Sequence, residues 1–107
     1  MGQNHEMPED PVSLIPVEVY PMVPSYLNRR EAEIIELKQL LEMHKFDEIR
    51  FIAHRLKGSG GGYGLQVISE IGEDLELAAN QRNSNEVAEL IQHLSNAVKY
   101  LKPHFQN

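Results

Sequence analysis

The chain has 107 residues, 41% of them hydrophobic and 24% charged, which suits one compact domain with a single modest core. It contains no cysteine, so a disulfide scaffold, a zinc ribbon, a thiol nucleophile and a cysteine-held iron–sulfur cluster are excluded, and a reducing cytoplasm is the expected compartment. Sixteen acidic against ten basic residues give a formal charge of −6, which argues against broad binding to nucleic acid or to an anionic membrane.

No apolar run approaches the roughly 20 residues that span a bilayer, and the opening MGQNHEMPED lacks the basic and apolar regions of a signal peptide. A soluble protein is expected. Five of the six prolines fall before residue 25 and the next is Pro103, so the stretch between them is free to be helical. There is no threonine, and four of the seven valines also precede residue 25, too few β-branched residues for a sheet in the main body. The fold class is therefore all-α. Residues 1–11 read as a flexible N-terminal tail and 12–107 as the domain, with VSLIPVEVY an extended lead-in packed over one end.

Four segments carry a helical period. The first opens at Pro24, suited to a first helical turn, and runs to about Met43 with Leu27, Ile34, Leu37 and Leu41 inward. The second begins near Phe46, with Asp47 and Glu48 favourably placed in its first turn, and carries Ile49, Ile52, Ala53, Leu56, Gly60 and Tyr63 at spacings of three and four. A third covers about Leu65 to Gln81 with Ile68, Ile71, Leu75 and Ala78 inward, and Gly72 permits close helix packing. The fourth starts from a capping-box pattern at Asn83 and Glu86, carries Val87, Leu90, Ile91, Leu94, Val98 and Leu101, and should stop before Pro103. Short connections between amphipathic helices predict an antiparallel up-and-down four-helix bundle.

With the Ile49, Ile52, Leu56 and Gly60 stripe facing the core, a helical wheel puts His54 on the solvent side. Gly58 and Gly61 share its face one and two turns on, and Arg50 and Lys57 flank it. Each interior glycine costs about 1 kcal/mol relative to alanine, so the four from Gly58 to Gly62 could cost roughly 3 to 4 kcal/mol if the helix continues through them. Such a sacrifice implies close access to the imidazole. The chemistry that fits is nucleophilic: a neutral ring nitrogen attacks phosphorus while Lys57, one turn away, meets the phosphate oxygens as a point charge.

The run AHRLKGSGGGYGL resembles the signature of the histidine-containing phosphotransfer (HPt) domains of multistep phosphorelays, through His54, Leu56, Lys57, Gly58, Ser59 and Gly64. The resemblance extends to PSYLNRR, FDEIRFIAHRL and ISEIGEDLELAA, and so covers about residues 12 to 102. Many members carry bulkier small polar residues where this chain has Gly60, Gly61 and Gly62. The resemblance implies that His54 accepts a phosphoryl group on its outer ring nitrogen, that Lys57 steadies it, and that Gly58 leaves room for a response regulator receiver domain. The phosphoryl group would come from a receiver-domain aspartyl phosphate, or from a sensor or hybrid histidine kinase system, and pass to another receiver. No cofactor is expected in this chain, Mg²⁺ belonging to the receiver, and no kinase activity is expected without a nucleotide site. Docking would involve Arg50, Phe51, Arg55, Gly61 and Gly62.

Plainer readings stand beside this one. His5, His44, His93 and His104 read as ordinary surface or core residues, and Arg50, Arg55 and Lys57 could be solvated charges. Phe51 lies off the core stripe, either covered by the VSLIPVEVY lead-in or free to anchor a partner. A GxGxxxG nucleotide loop at Gly58, Gly60 and Gly64 would need a strand before it, where FIAHRL continues a helical stripe. A P-loop lacks its lysine, and the histidines show no metal-ligand spacing. A bundle serving only as an unphosphorylated adaptor for signalling proteins shares the fold and differs in chemistry. The stripes are accounted for within one bundle, so a monomer is expected.

Overall fold

The computed structural model describes residues 5–105. Two short 3₁₀ turns, Pro11–Leu14 and Tyr20–Met22, lead into helices α1 (Val23–Glu42), α2 (Phe46–Gly62), α3 (Gln66–Asn80) and α4 (Ser84–Phe105), and no strand occurs among the described residues. The chain forms the four-helix bundle that its periodicity predicts.

The three turns between helices repeat one device. In each, the second residue past the helix takes the left-handed conformation: His44 (φ 55°), Gly64 (φ 77°) and Arg82 (φ 54°). The next amide then reaches back to the carbonyl five residues before it, Lys45 to Leu40 (2.9 Å), Leu65 to Gly60 (2.8 Å) and Asn83 to Ala78 (3.1 Å). This is the Schellman arrangement, which satisfies carbonyls that a helix end would leave orphaned. Only Gly64 adopts it without a steric penalty from Cβ.

The apolar stripes converge on one core, with Leu27, Leu37, Ile49, Ile68, Ile71, Leu75, Leu94 and Leu101 wholly inaccessible. The inward residue in the last turns of α1 is Leu40 rather than the expected Leu41, which is only half-buried. One position shifts the residue by about 100° around the helix, and the α1–α2 turn itself is built on the Leu40 carbonyl.

α2 and α3 make the tightest pair. A Cβ on Gly60 would stand 2.6 Å from the Ser69 backbone nitrogen, and one on Gly72 2.6 Å from that of Lys57. Two glycines, one from each helix, thus let the backbones approach almost to contact and fix the antiparallel register. The anticipated role of Gly72 is confirmed, and Gly60 is its counterpart. Asn83 accepts the Glu86 amide at 3.1 Å as an N-cap, but the returning arm runs from its side-chain amide to the Glu86 carboxylate at 3.3 Å, a side-chain variant of the expected box.

Pro103 does not end α4, which runs on to Phe105. A proline forfeits one backbone hydrogen bond, a loss placed here in the last turn. Burial of the Phe105 ring, with the Tyr20 ring 5.5 Å away, holds that turn. The lead-in is likewise not extended: the amides of Val19 and Tyr20 both bond the Pro16 carbonyl (2.9 and 3.1 Å), because proline's fixed φ serves a tight turn as well as an extended one. It does pack over one end, where Ile15 is buried and the Leu14 carbonyl lies against the Gly64 turn. The flexible tail expected over residues 1–11 meets the bundle from His5 onward: His5 bonds Asp74, and the Tyr100 hydroxyl donates to the Pro8 carbonyl at 2.5 Å. Apolar Met7 and hydrogen-bonded His5 supply the contacts that composition alone did not suggest. Residues 1–4 lie outside the described residues.

Candidate functional site

α2 remains helical through Gly62, so the wheel drawn for His54 holds along its whole length. The imidazole is 68% exposed, and its Nδ1 lies 3.0 Å from Oε2 of Glu76 on α3. An ionised carboxylate has only acceptors to offer, so Nδ1 must carry the proton of this hydrogen bond. In the neutral ring, Nε2 is then left with its lone pair. The nitrogen left with a free lone pair is thus the outer one.

Glycines clear the space beside it. A Cβ at Gly58 or Gly62 would meet nothing within 4 Å, and one at Gly61 only the Ser69 hydroxyl at 3.8 Å. These three positions bear no packing constraint, in contrast to Gly60 and Gly72. Gly61→Ala is therefore expected to raise stability by up to about 1 kcal/mol through helix propensity alone, read as a higher denaturant midpoint. A bulky Gly61→Gln should stay folded and slow any partner approaching along this face.

Lys57 is exposed and has no ion-pair partner among the described residues, which leaves its ammonium free beside the histidine. Its backbone is anchored: the Ser69 hydroxyl donates to the Lys57 carbonyl at 2.7 Å. Arg50 is also exposed and unpaired among the described residues, at the edge of a groove of about 460 Å³ lined with Glu73, Glu76 and Leu77. Arg55, by contrast, is engaged. Its guanidinium lies 3.5 Å from Glu33 on α1 and 5.3 Å from the centre of the Phe51 ring. Phe51 itself is 62% exposed and is not covered by the lead-in; it borders a second groove with Glu36 and Leu40 of α1.

Glu33 ties α1 to this region. Its Oε1 faces Arg30 at 3.1 Å and its Oε2 faces Arg55. Burial raises its pKa, and the two guanidinium groups only partly oppose that effect. The folded state therefore favours the neutral acid more than the unfolded chain does, so this group's contribution to stability increases as pH falls through its raised pKa.

The structure thus brings His54, Lys57, Gly58, Gly61 and Gly62 together on one face, sets Arg50 and Phe51 beside it, and turns Arg55 toward α1. Sequence reasoning missed Glu76, Ser69 and Glu33. Glu76 follows only from the register: Gly72 faces Lys57 across the antiparallel pair, so one further turn along α3 faces one turn back along α2, at His54. Glu76→Ala should leave the fold intact and reduce reactivity of the ring roughly fivefold, the equivalent of about 1 kcal/mol for an exposed charged pair, measured as the rate of phosphorylation by a small phosphoryl donor.

Residues 22–103 match the family model of the Hpt domain. The chain belongs to the Hpt domain family. Domains of this family carry phosphoryl groups on histidine in phosphorelays and work with receiver domains and histidine kinases. Comparison with curated proteins and with solved structures found no match. Among the described residues of this Hpt domain, no helix is long and apolar enough to cross a membrane.

Proposed function

We propose that this Hpt domain is a phosphorelay intermediate whose phosphorylated residue is His54, accepting a phosphoryl group from the aspartyl phosphate of one receiver domain and delivering it to another. The observation that carries the reading is the pairing of Nδ1 with Glu76, which leaves the Nε2 lone pair on a face cleared by Gly58, Gly61 and Gly62.

In the forward step the Nε2 lone pair forms a bond to phosphorus as the bond from phosphorus to the aspartyl oxygen breaks, and the aspartate leaves as a carboxylate. The ring, now bonded at Nε2 and still protonated at Nδ1, gains a positive charge. Glu76 faces that charge and accepts the Nδ1 hydrogen bond, so it stabilises the product and the preceding transition state. Lys57 offsets charge on the phosphoryl oxygens. Mg²⁺ belongs to the receiver, where it neutralises the transferring group. The domain supplies position and a nucleophile, with no kinase activity of its own.

Mixing the protein with a phosphorylated receiver domain in the presence of Mg²⁺ tests this, with the label expected on the Hpt chain as an acid-labile, alkali-stable phosphate. A chain that binds receivers and never takes label would be an adaptor. Lys57→Ala is expected to slow transfer about ten- to a hundredfold, since one charge-assisted contact is worth roughly 1.5–3 kcal/mol. Single-turnover rates at saturating receiver would read that loss separately from docking.

A further inference from the structure

A second histidine cluster lies away from the His54 face, where the N-terminal lead crosses α3 and α4. His5 is nearly buried, its side chain 4% exposed. Its Nε2 lies 2.6 Å from Oδ2 of Asp74, and its Nδ1 lies 3.2 Å from Nδ1 of His93 on α4. The carboxylate requires a proton on Nε2 of His5, which leaves Nδ1 of that ring free to act as a lone-pair donor. Two ring nitrogens therefore converge, one of them oriented from behind by a carboxylate.

We propose that His5 and His93 form a binding site for a borderline transition-metal ion such as Zn²⁺. Two imidazole nitrogens each about 2.0–2.1 Å from a tetrahedral ion stand about 3.3 Å apart, and the observed separation is 3.2 Å. A carboxylate hydrogen-bonded to the far nitrogen of a ligating histidine is the usual outer support, fixing tautomer and ring orientation. Asp74 occupies that outer position, so the chain would offer the ion two direct ligands; no group of three His, Cys, Asp or Glu side chains that could hold a metal occurs among the described residues. A cavity of about 140 Å³ bounded by His5, Met7, His93 and Asn96 leaves room for water to complete the ion's shell, with a thioether in its wall. In the metal-free contact His93 donates from Nδ1 to His5, so binding requires that proton to pass through solvent to the Nε2 of the His93 ring. The ion would then replace a single hydrogen bond by two coordinate bonds and fasten the lead to α4 across 88 residues of sequence.

The site is independent of phosphotransfer, and the test keeps the two apart. The metal-stripped full chain carrying His54→Gln is titrated with Zn²⁺ by calorimetry, with thermal unfolding followed in parallel. One equivalent is expected to bind and to raise the melting temperature. His93→Ala and His5→Ala should each abolish stoichiometric binding, and Asp74→Asn should weaken it about ten- to a hundredfold. His44→Ala and His104→Ala should leave it unchanged. Absence of a one-to-one isotherm overturns the proposal, as does a His93→Ala variant that binds like its parent.

Discussion

Replacing His54 with Gln is expected to abolish phosphoryl labelling while leaving helical content and the unfolding midpoint close to their original values. The ring is largely exposed, and its only side-chain hydrogen bond among the described residues is to Glu76. An exposed hydrogen bond of this kind is worth about 1 kcal/mol or less, so the fold has little to lose. The reaction has everything to lose, since glutamine offers an amide with no basic lone pair where Nε2 stood. Label transfer from a phosphorylated receiver, run beside a circular-dichroism melt, separates the two effects. Residual labelling at the wild-type level would move the phosphorylated residue elsewhere.

The second large effect concerns stability. Gly60→Ala and Gly72→Ala should each lower it by about 1–3 kcal/mol, the usual cost of overpacking a tight contact. Helix propensity acts in the opposite direction by about 1 kcal/mol, but it does not decide the sign. Each added methyl would sit 2.6 Å from a backbone nitrogen on the facing helix, and at Gly72 also 2.9 Å from Cβ of Leu56. Backbone cannot turn aside as the end of a long side chain can, so the helices must separate. Separation also draws Glu76 away from His54, so transfer by any folded fraction should resemble that of Glu76→Ala. Chemical denaturation gives the stability; an unchanged or higher midpoint would show that the helix pair yields more easily than its geometry implies.

These two glycines and the three beside them mark how far the sequence could be read. The wheel separated Gly60, on the core stripe, from Gly58 and Gly61, on the histidine face, and that separation needs only periodicity. Periodicity also located all four helices and the exposed face of His54. It could not supply Glu76, 22 residues downstream, because the pairing depends on the register of two helices and not on either alone. Pro103 and the lead-in misled for a related reason. A proline restricts the backbone locally, whereas Phe105 and Ile15 are held by contacts from distant parts of the chain. His44 and Arg82 gave no turn signal, since neither is a residue that favours positive φ as glycine does.

The open face has a kinetic consequence. There is one outward nitrogen on one side of one helix, and the ground around it is bare. On the proposed reading, donor and acceptor must stand on the same few square nanometres, so they exclude each other and cannot meet in a ternary complex. Each delivery then waits for the previous visitor to depart. Where departure is slower than bond-making, residence time would bound throughput, and tighter docking would throttle the circuit instead of speeding it. On that reading a landing surface of modest grip is the one that serves the relay, with projecting groups such as Arg50 and Phe51 proposed to supply discrimination and the glycine side quick release.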